Sequence, residues 1–182
     1  INYINVNPII SADFSTDTSI GCEPFNVIFN NNSQNSSFYN WDFGDGNTAS
    51  FFNGFYEYQN AGNYIIKLVV ENINGCKDSI FEPINVYPSP TSSYTYIASD
   101  PCYLPISVDF TNTSLLSNNF EWNFGNGQTS STNNPSTIFD SVGNYNVQLI
   151  SGNSYNCYDT LNNFFDVVNK QVPIANFNFN DS

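Results

Sequence analysis

The stretch Tyr39-Asn40-Trp41-Asp42-Phe43-Gly44-Asp45-Gly46 decides the fold, and a close copy of it follows later in the chain. Tyr39, Trp41 and Phe43 alternate with polar residues, which puts the three rings on one face of a strand. The run ends in Gly44-Asp45-Gly46, where glycine supplies the positive φ values of a tight hairpin turn. Phe120-Glu121-Trp122-Asn123-Phe124-Gly125-Asn126-Gly127 repeats the pattern, with Asn at both acidic positions.

The repetition extends in both directions. Trp41 and Trp122 lie 81 positions apart, as do Gly62 and Gly143, and Cys76 and Cys157, while Cys22 and Cys102 lie 80 apart. A near-constant offset across unlike residue types marks a tandem repeat. Phe25, Val27 and Phe29 alternate upstream and match Ile106, Val108 and Phe110. Downstream, Tyr64, Ile66, Leu68 and Val70 match Tyr145, Val147, Leu149 and Ser151, and Ile84 and Val86, with Phe165 and Val167, close each copy. Short linkers at Pro88–Pro90 and Val172-Pro173 join the copies. Ile4-Asn5-Val6-Asn7-Pro8 echoes Ile84–Pro88, and Pro173–Phe177 resembles the start of each copy. The expected organisation is therefore the last strand of a preceding repeat over 1–8, repeats over 9–89 and 90–172, and the first strand of a following repeat over 173–182. Seven or so short strands per ~80 residues is immunoglobulin-like spacing, so an all-β chain of tandem sandwiches arranged end to end is expected.

Composition agrees with strands. Aromatic residues make up 17% of the chain, Met is absent, and Asn, Ser, Thr, Gly and Pro fill the gaps between apolar positions. Sixteen acidic residues face three lysines (Lys67, Lys77 and Lys170), with no Arg or His, for a net charge of -13. Nucleic acid is excluded as a partner, because phosphate binding needs clustered Lys or Arg, and an anionic membrane surface is disfavoured for the same reason. No apolar run approaches the roughly 18 residues of a membrane span, so direct membrane insertion is not expected. Without His or Arg a nucleophile and base cannot be assembled, and the carboxylates fall mostly at turns, so the chain is not expected to be an enzyme. Four cysteines without a CxxC pair form no zinc set and suit an oxidising, extracellular or cell-surface location.

Trp41-Asp42-Phe43-Gly44-Asp45-Gly46, followed by Tyr58, Gly62, Tyr64 and the Ile66, Leu68, Val70 alternation, closely resembles the polycystic kidney disease (PKD) domain family. The second copy is similar over Trp122–Gly127, Gly143 and Tyr145, so the resemblance covers nearly the whole chain. It implies an immunoglobulin-like β-sandwich that serves as a spacer or adhesive unit. Gly21-Cys22-Glu23-Pro24 and Gly75-Cys76-Lys77-Asp78 further resemble the Cys-containing repeats of very large surface proteins in gliding, type IX secreting Bacteroidota. The second copy keeps Cys102 and Cys157 but carries Pro101 and Asn156 in place of the glycines.

In such a sandwich the loop before the second strand and the loop after the sixth lie at opposite poles. Cys22 and Cys76 are then about a strand length apart, roughly 20 Å, beyond disulfide reach. An inter-repeat bond between Cys22 and Cys157 is preferred, with Cys76 and Cys102 bonded to neighbouring repeats. Pairs within one repeat, Cys22 with Cys76 and Cys102 with Cys157, and free buried thiols remain the alternatives. Trp41, Trp122, Tyr64 and Tyr145 are expected core anchors; a sugar-stacking platform is the other reading of the two Trp residues. Asp42, Asp45 and Asn47 carry alternating oxygens that suit Ca²⁺, against a plain turn role, and no other cofactor is expected. Asp78-Ser79-Ile80, Asp140-Ser141-Val142 and Asp159-Thr160-Leu161 resemble the O-glycosylation triplet of Bacteroidota, which makes Ser79, Ser141 and Thr160 candidate sites. The expected function is a structural segment of a long surface fibre, adhesin-like and stiffened by short linkers and disulfides. Its partners would be neighbouring repeats of the same chain, other fibres, and surface glycans or proteins. The alternative is an accessory polysaccharide- or protein-binding module of a secreted hydrolase.

Overall fold

The computed structural model describes residues 8–99 and 103–168, which divide into two compact units between Ser89 and Pro90. The flanking strands expected over 1–8 and 173–182 fall, but for Pro8, outside the described residues, as do Cys102 and Lys170. No helix occurs among the described residues.

The first unit contains β1 (Phe14–Thr16), β2 (Ile20–Cys22), β3 (Phe25–Asn31), β4 (Phe38–Asp42), β5 (Thr48–Ala49), β6 (Gly54–Tyr58), β7 (Gly62–Glu71) and β8 (Lys77–Tyr87). One sheet has the order β1-β3-β6 and the other β2-β8-β7-β4-β5. Pairing is antiparallel except between β2 and β8, where Cys22 lies beside Tyr87. Alternation drives the assembly. Phe25, Val27 and Phe29 of β3 point inward and meet Trp41, Ile66, Leu68, Val70, Ile84 and Val86 from the other sheet. Phe14, Phe29 and Phe51 surround the Trp41 ring with centroids 5.0, 5.2 and 5.7 Å away. Packing of this kind is worth far more than the intrinsic strand preference of any one residue.

The second unit contains β9 (Tyr94–Ala98), β10 (Ile106–Asn112), β11 (Asn119–Asn123), β12 (Thr129–Ser130), β13 (Ser136–Phe139), β14 (Gly143–Gly152) and β15 (Tyr158–Val167). Its sheets have the orders β13-β10-β9 and β12-β11-β14-β15. Ile106, Val108, Phe110, Trp122, Phe124, Phe139, Val147, Leu149, Phe165 and Val167 form the core.

The strands that end each unit are longer than the sequence pattern indicates. β8 spans 11 residues and β15 spans 10, although only their last stretches bury an alternating pair. The earlier part of β8 pairs with β7 through its backbone and leaves its side chains largely exposed, so hydrophobic periodicity cannot mark it.

Candidate functional site

The cysteine-bearing loop after β7 is built around one asparagine. Asn72 is buried, and its Oδ1 accepts the backbone N–H of Asn74 and of Cys76, both at 3.0 Å. Asn72 N–H donates to Cys76 O and Gly75 N–H to Asn72 O, closing the turn. Gly75 has φ +81°, a left-handed conformation that favours glycine. Asn153 repeats the arrangement, its Oδ1 accepting from Tyr155 at 3.0 Å and Cys157 at 3.2 Å. Asn156 takes the left-handed position with φ +61°, which Asn tolerates better than other non-glycine residues. Cys76 is an exposed free thiol, whereas Cys157 is buried and disulfide-bonded.

Two residues beyond each cysteine an aspartate fixes where the chain enters the sandwich. Asp78 Oδ2 accepts the Ala12 N–H at 2.8 Å, and Asp159 Oδ2 accepts the Ser92 N–H at 2.6 Å. Ser92 also meets Ser151 Oγ at 2.5 Å and donates to Asp159 O at 2.9 Å. This satisfies the buried hydroxyl that replaces the Val70 side chain of the first unit.

Cys22 stands at the opposite pole of the first unit. Its neighbour Glu23 donates its N–H to Tyr87 O at 2.9 Å, and Glu23 O accepts the Ser89 hydroxyl at 2.5 Å. The Glu23 carboxylate accepts the N–H of Ser89 at 3.3 Å and that of Ala61. Glu23 thus grips the segment through which the chain leaves. A Cβ on Gly21 would lie 2.0 Å from the Phe25 ring, so glycine is required before Cys22. Cys22 is level with Tyr87 and Cys76 precedes Lys77, which places them at the two ends of β8, roughly 33 Å apart at the rise of a strand. Cys22 is disulfide-bonded and Cys76 is not, so the pair within the first repeat does not form.

Both Trp side chains are buried, with Trp41 Nε1 donating to Phe51 O and Trp122 Nε1 to Thr132 O, each at 3.0 Å. Neither ring is open to a ligand. Tyr64 and Tyr145 are half-buried at the rim of each core. Their hydroxyls donate four residues upstream, to Asn60 O at 2.8 Å and Ser141 O at 3.0 Å, a corner that ties the turn to the following strand.

The Gly-rich turns use side-chain oxygens internally. Asp42 Oδ1 accepts from Gly44 N and Asp45 Oδ1 from Asn47 N, each at 3.0 Å. Asp45 Oδ2 accepts the Tyr56 hydroxyl at 2.5 Å and Asn47 Nδ2 at 3.1 Å. Burial pushes the Asp45 carboxyl up, but the hydrogen bonds from Tyr56 and Asn47 outweigh it and hold the group below its usual range. Burial, and then the bond to Asp45, pushes the Tyr56 phenol up to about 12. In the second unit Asn123 Oδ1 accepts from Gly125 N and Asn126 Oδ1 from Gln128 N, each at 3.0 Å. The same turn therefore forms without a carboxylate. Among the described residues no three His, Cys, Asp or Glu side chains gather to hold a metal ion.

Ser79 and Thr160 are exposed on β8 and β15, each beside an Asp engaged with the start of its own unit. Ser141 lies in the tyrosine corner, its Oγ 3.0 Å from the Tyr145 hydroxyl. Asn72, Asn153, Glu23 and Tyr56 carry these sites, and sequence reasoning assigned none of them a role. The one available signal was the recurrence of Asn at 72 and 153, four residues before each cysteine.

The family model described as PKD domain matches residues 5–87 and again 88–167. The chain belongs to the PKD domain family. Among solved structures it is similar to the PKD1 domain of the Vibrio cholerae metalloprotease PrtV, with 30% identity over 41% of this chain and 93% of that one and a TM-score of 0.37. It is also similar to the PKD1 domain of Vibrio anguillarum Epp, with 25% identity over 46% of this chain and 99% of that one and a TM-score of 0.40. A solution structure from Methanosarcina mazei shares 33% identity over 48% of this chain and 60% of its own, with a TM-score of 0.38. No match was found among curated proteins. PKD domains are non-catalytic modules of extracellular proteins, with structural or binding roles. In this PKD pair the polar side chains at the Gly-rich turns and cysteine loops form and hold the turns.

Proposed function

We propose that the chain is a structural segment of a long extracellular or cell-surface fibre, adhesin-like in character, in which a disulfide between Cys22 and Cys157 braces the linker between successive PKD domains. One observation carries the reading: Cys22 and Cys157 are both half-cystines, while Cys76 remains a thiol. The chain path supports it. Glu23, next to Cys22, holds Ser89, and Asp159, two residues from Cys157, holds Ser92. Three residue steps separate Ser89 from Ser92, at most ~11 Å of extended chain. A bond across so short a linker opposes bending, and stiffness of a repeat array resides in contacts between neighbours. Cys76 and Cys102 would make the same bond to the repeats before and after, and Ser79 and Thr160 would carry O-glycans.

Peptide mapping without reduction tests the brace. A Cys22 peptide joined to a Cys157 peptide is expected, with Cys76 open to alkylation in this two-domain segment, where no preceding repeat is present to pair with it. Alkylation of Cys22 and Cys157 in unreduced protein would sink it. Small-angle scattering should show a broader distribution of chain dimensions after reduction, and an unchanged profile would remove the stiffening role.

A further inference from the structure

The outer face of the sheet β12-β11-β14-β15 carries two adjoining clefts of about 630 and 400 Å³ that share Glu121, Ser131 and Ile150. Tyr158 borders the smaller one, and Gln148 the larger. Tyr158 pairs across the sheet with Gly152, which in turn faces Asn119. A Cβ on Gly152 would lie 2.6 Å from Cδ1 and Cε1 of Tyr158 and 2.1 Å from Asn119 Oδ1, so the Tyr158 ring lies over the glycine. The residue nevertheless remains 57% exposed. Gln148 Nε2 donates to Asn162 Oδ1 at 3.1 Å, which orients its amide in the cleft.

The first domain fills the same place differently. Phe38, Glu71 and Lys77 stand where the second has Asn119, Gly152 and Tyr158, Lys77 Nζ lies 3.2 Å from Glu71 Oε2, and the cleft shrinks to about 190 Å³. The glycine and tyrosine of the second domain therefore replace an ion pair with an open aromatic surface.

We propose that these adjoining clefts bind a neutral saccharide chain, with one sugar ring stacked on Tyr158 beside Asn119 and Glu121 and a further ring of the same chain reaching Gln148. An aromatic ring supported on one side and open on the other suits the C–H face of a sugar. The amides and carboxylate around it supply both donors and acceptors for a polyol, the mixture of apolar surface and few polar groups that defines a small-ligand site. An anionic ligand does not fit, because the described residues of the second domain include no Lys or Arg and the chain carries a net charge of -13. A protein partner fits poorly as well. Tyr158 and Ile150 are too small an apolar set for the desolvated centre of an interface. The proposal goes beyond the fibre reading and does not depend on the disulfide.

The test is native electrophoresis of the whole chain in gels containing galactomannan, xyloglucan, soluble starch or polygalacturonate, with pull-down on cellulose and chitin. At least one neutral polysaccharide should retain the protein. Tyr158→Ala should weaken that binding by roughly tenfold or more. The double change Gly152→Glu with Tyr158→Lys rebuilds the ion pair of the first domain, and should abolish retention with the circular dichroism spectrum intact. Absence of retention on every neutral polysaccharide, retention on polygalacturonate alone, or undiminished binding by the double variant would overturn the proposal.

Discussion

Asn72 Oδ1 accepts the backbone N–H of Cys76 at 3.0 Å, and through this bond a buried amide places each cysteine loop. Asn153 does the same for Cys157. Replacing Asn72 by Ala leaves the amides of Asn74 and Cys76 without their acceptor and should destabilise the first domain by about 1–3 kcal/mol. Asn72→Asp keeps the acceptor and should cost less. Urea unfolding of the two variants measures the difference, and equal midpoints would show that the loop is held by other contacts.

Trp41→Ala and Trp122→Ala should each cost about 3–5 kcal/mol, because each removes the centre of an aromatic cluster and strands a carbonyl acceptor. The loss should appear in the domain that carries the change. A variant that unfolds at the wild-type midpoint and loses only saccharide retention would return the Trp residues to the ligand reading.

The core strands were legible because their side chains alternate. Phe25, Val27 and Phe29, or Tyr145, Val147 and Leu149, announce both the strand and its inward face. The two-residue β5 and β12, the parallel β2 and the outer part of β8 were not legible, since backbone pairing holds them and they bury little side chain. Polarity of the cysteine loops followed from the fold class, but the span was underestimated: about 20 Å expected against roughly 33 Å along β8. The sequence marks the Asp of each Cys-x-Asp segment only as part of a modification triplet; its carboxylate also fixes the start of the sandwich, a contact 66 residues away for Asp78. No local pattern reveals a partner so distant in sequence. The role of Glu23 was hidden for the same reason, since its grip on Ser89 also spans 66 residues.

Asp45 and Asn126 perform one turn function with different charge. Asp45→Asn should therefore preserve the fold, and a chelator should leave the melting midpoint of the wild type unchanged, because the Asp45 oxygens already have donors. Differential scanning calorimetry with calcium and with chelator decides this. A midpoint that rises with calcium in the wild type and not in Asp45→Asn would establish a cation at the turn.

The Asp45–Tyr56 contact makes the first domain sensitive to both ends of the pH scale. The Asp45 carboxyl is depressed in the folded state, so its contribution is fully present above the ordinary value of 3.8 and is lost as pH falls through the lower folded value. Tyr56 is shifted the other way. Its contribution is present below 10.0 and is lost as pH rises from there through about 12. Asn126 and Thr137 occupy the matching positions of the second domain, where neither titrates. The stability advantage of the wild type over Asp45→Asn should hold near neutral pH and narrow below about pH 4. Tyr56→Phe should likewise weaken the alkaline dependence between 10.0 and about 12, the remainder coming from Tyr58, whose phenol burial also pushes up. Melting midpoints collected across pH for the three proteins test both signs, and an acid limb that runs parallel in the wild type and Asp45→Asn would place the acid sensitivity elsewhere among the carboxylates.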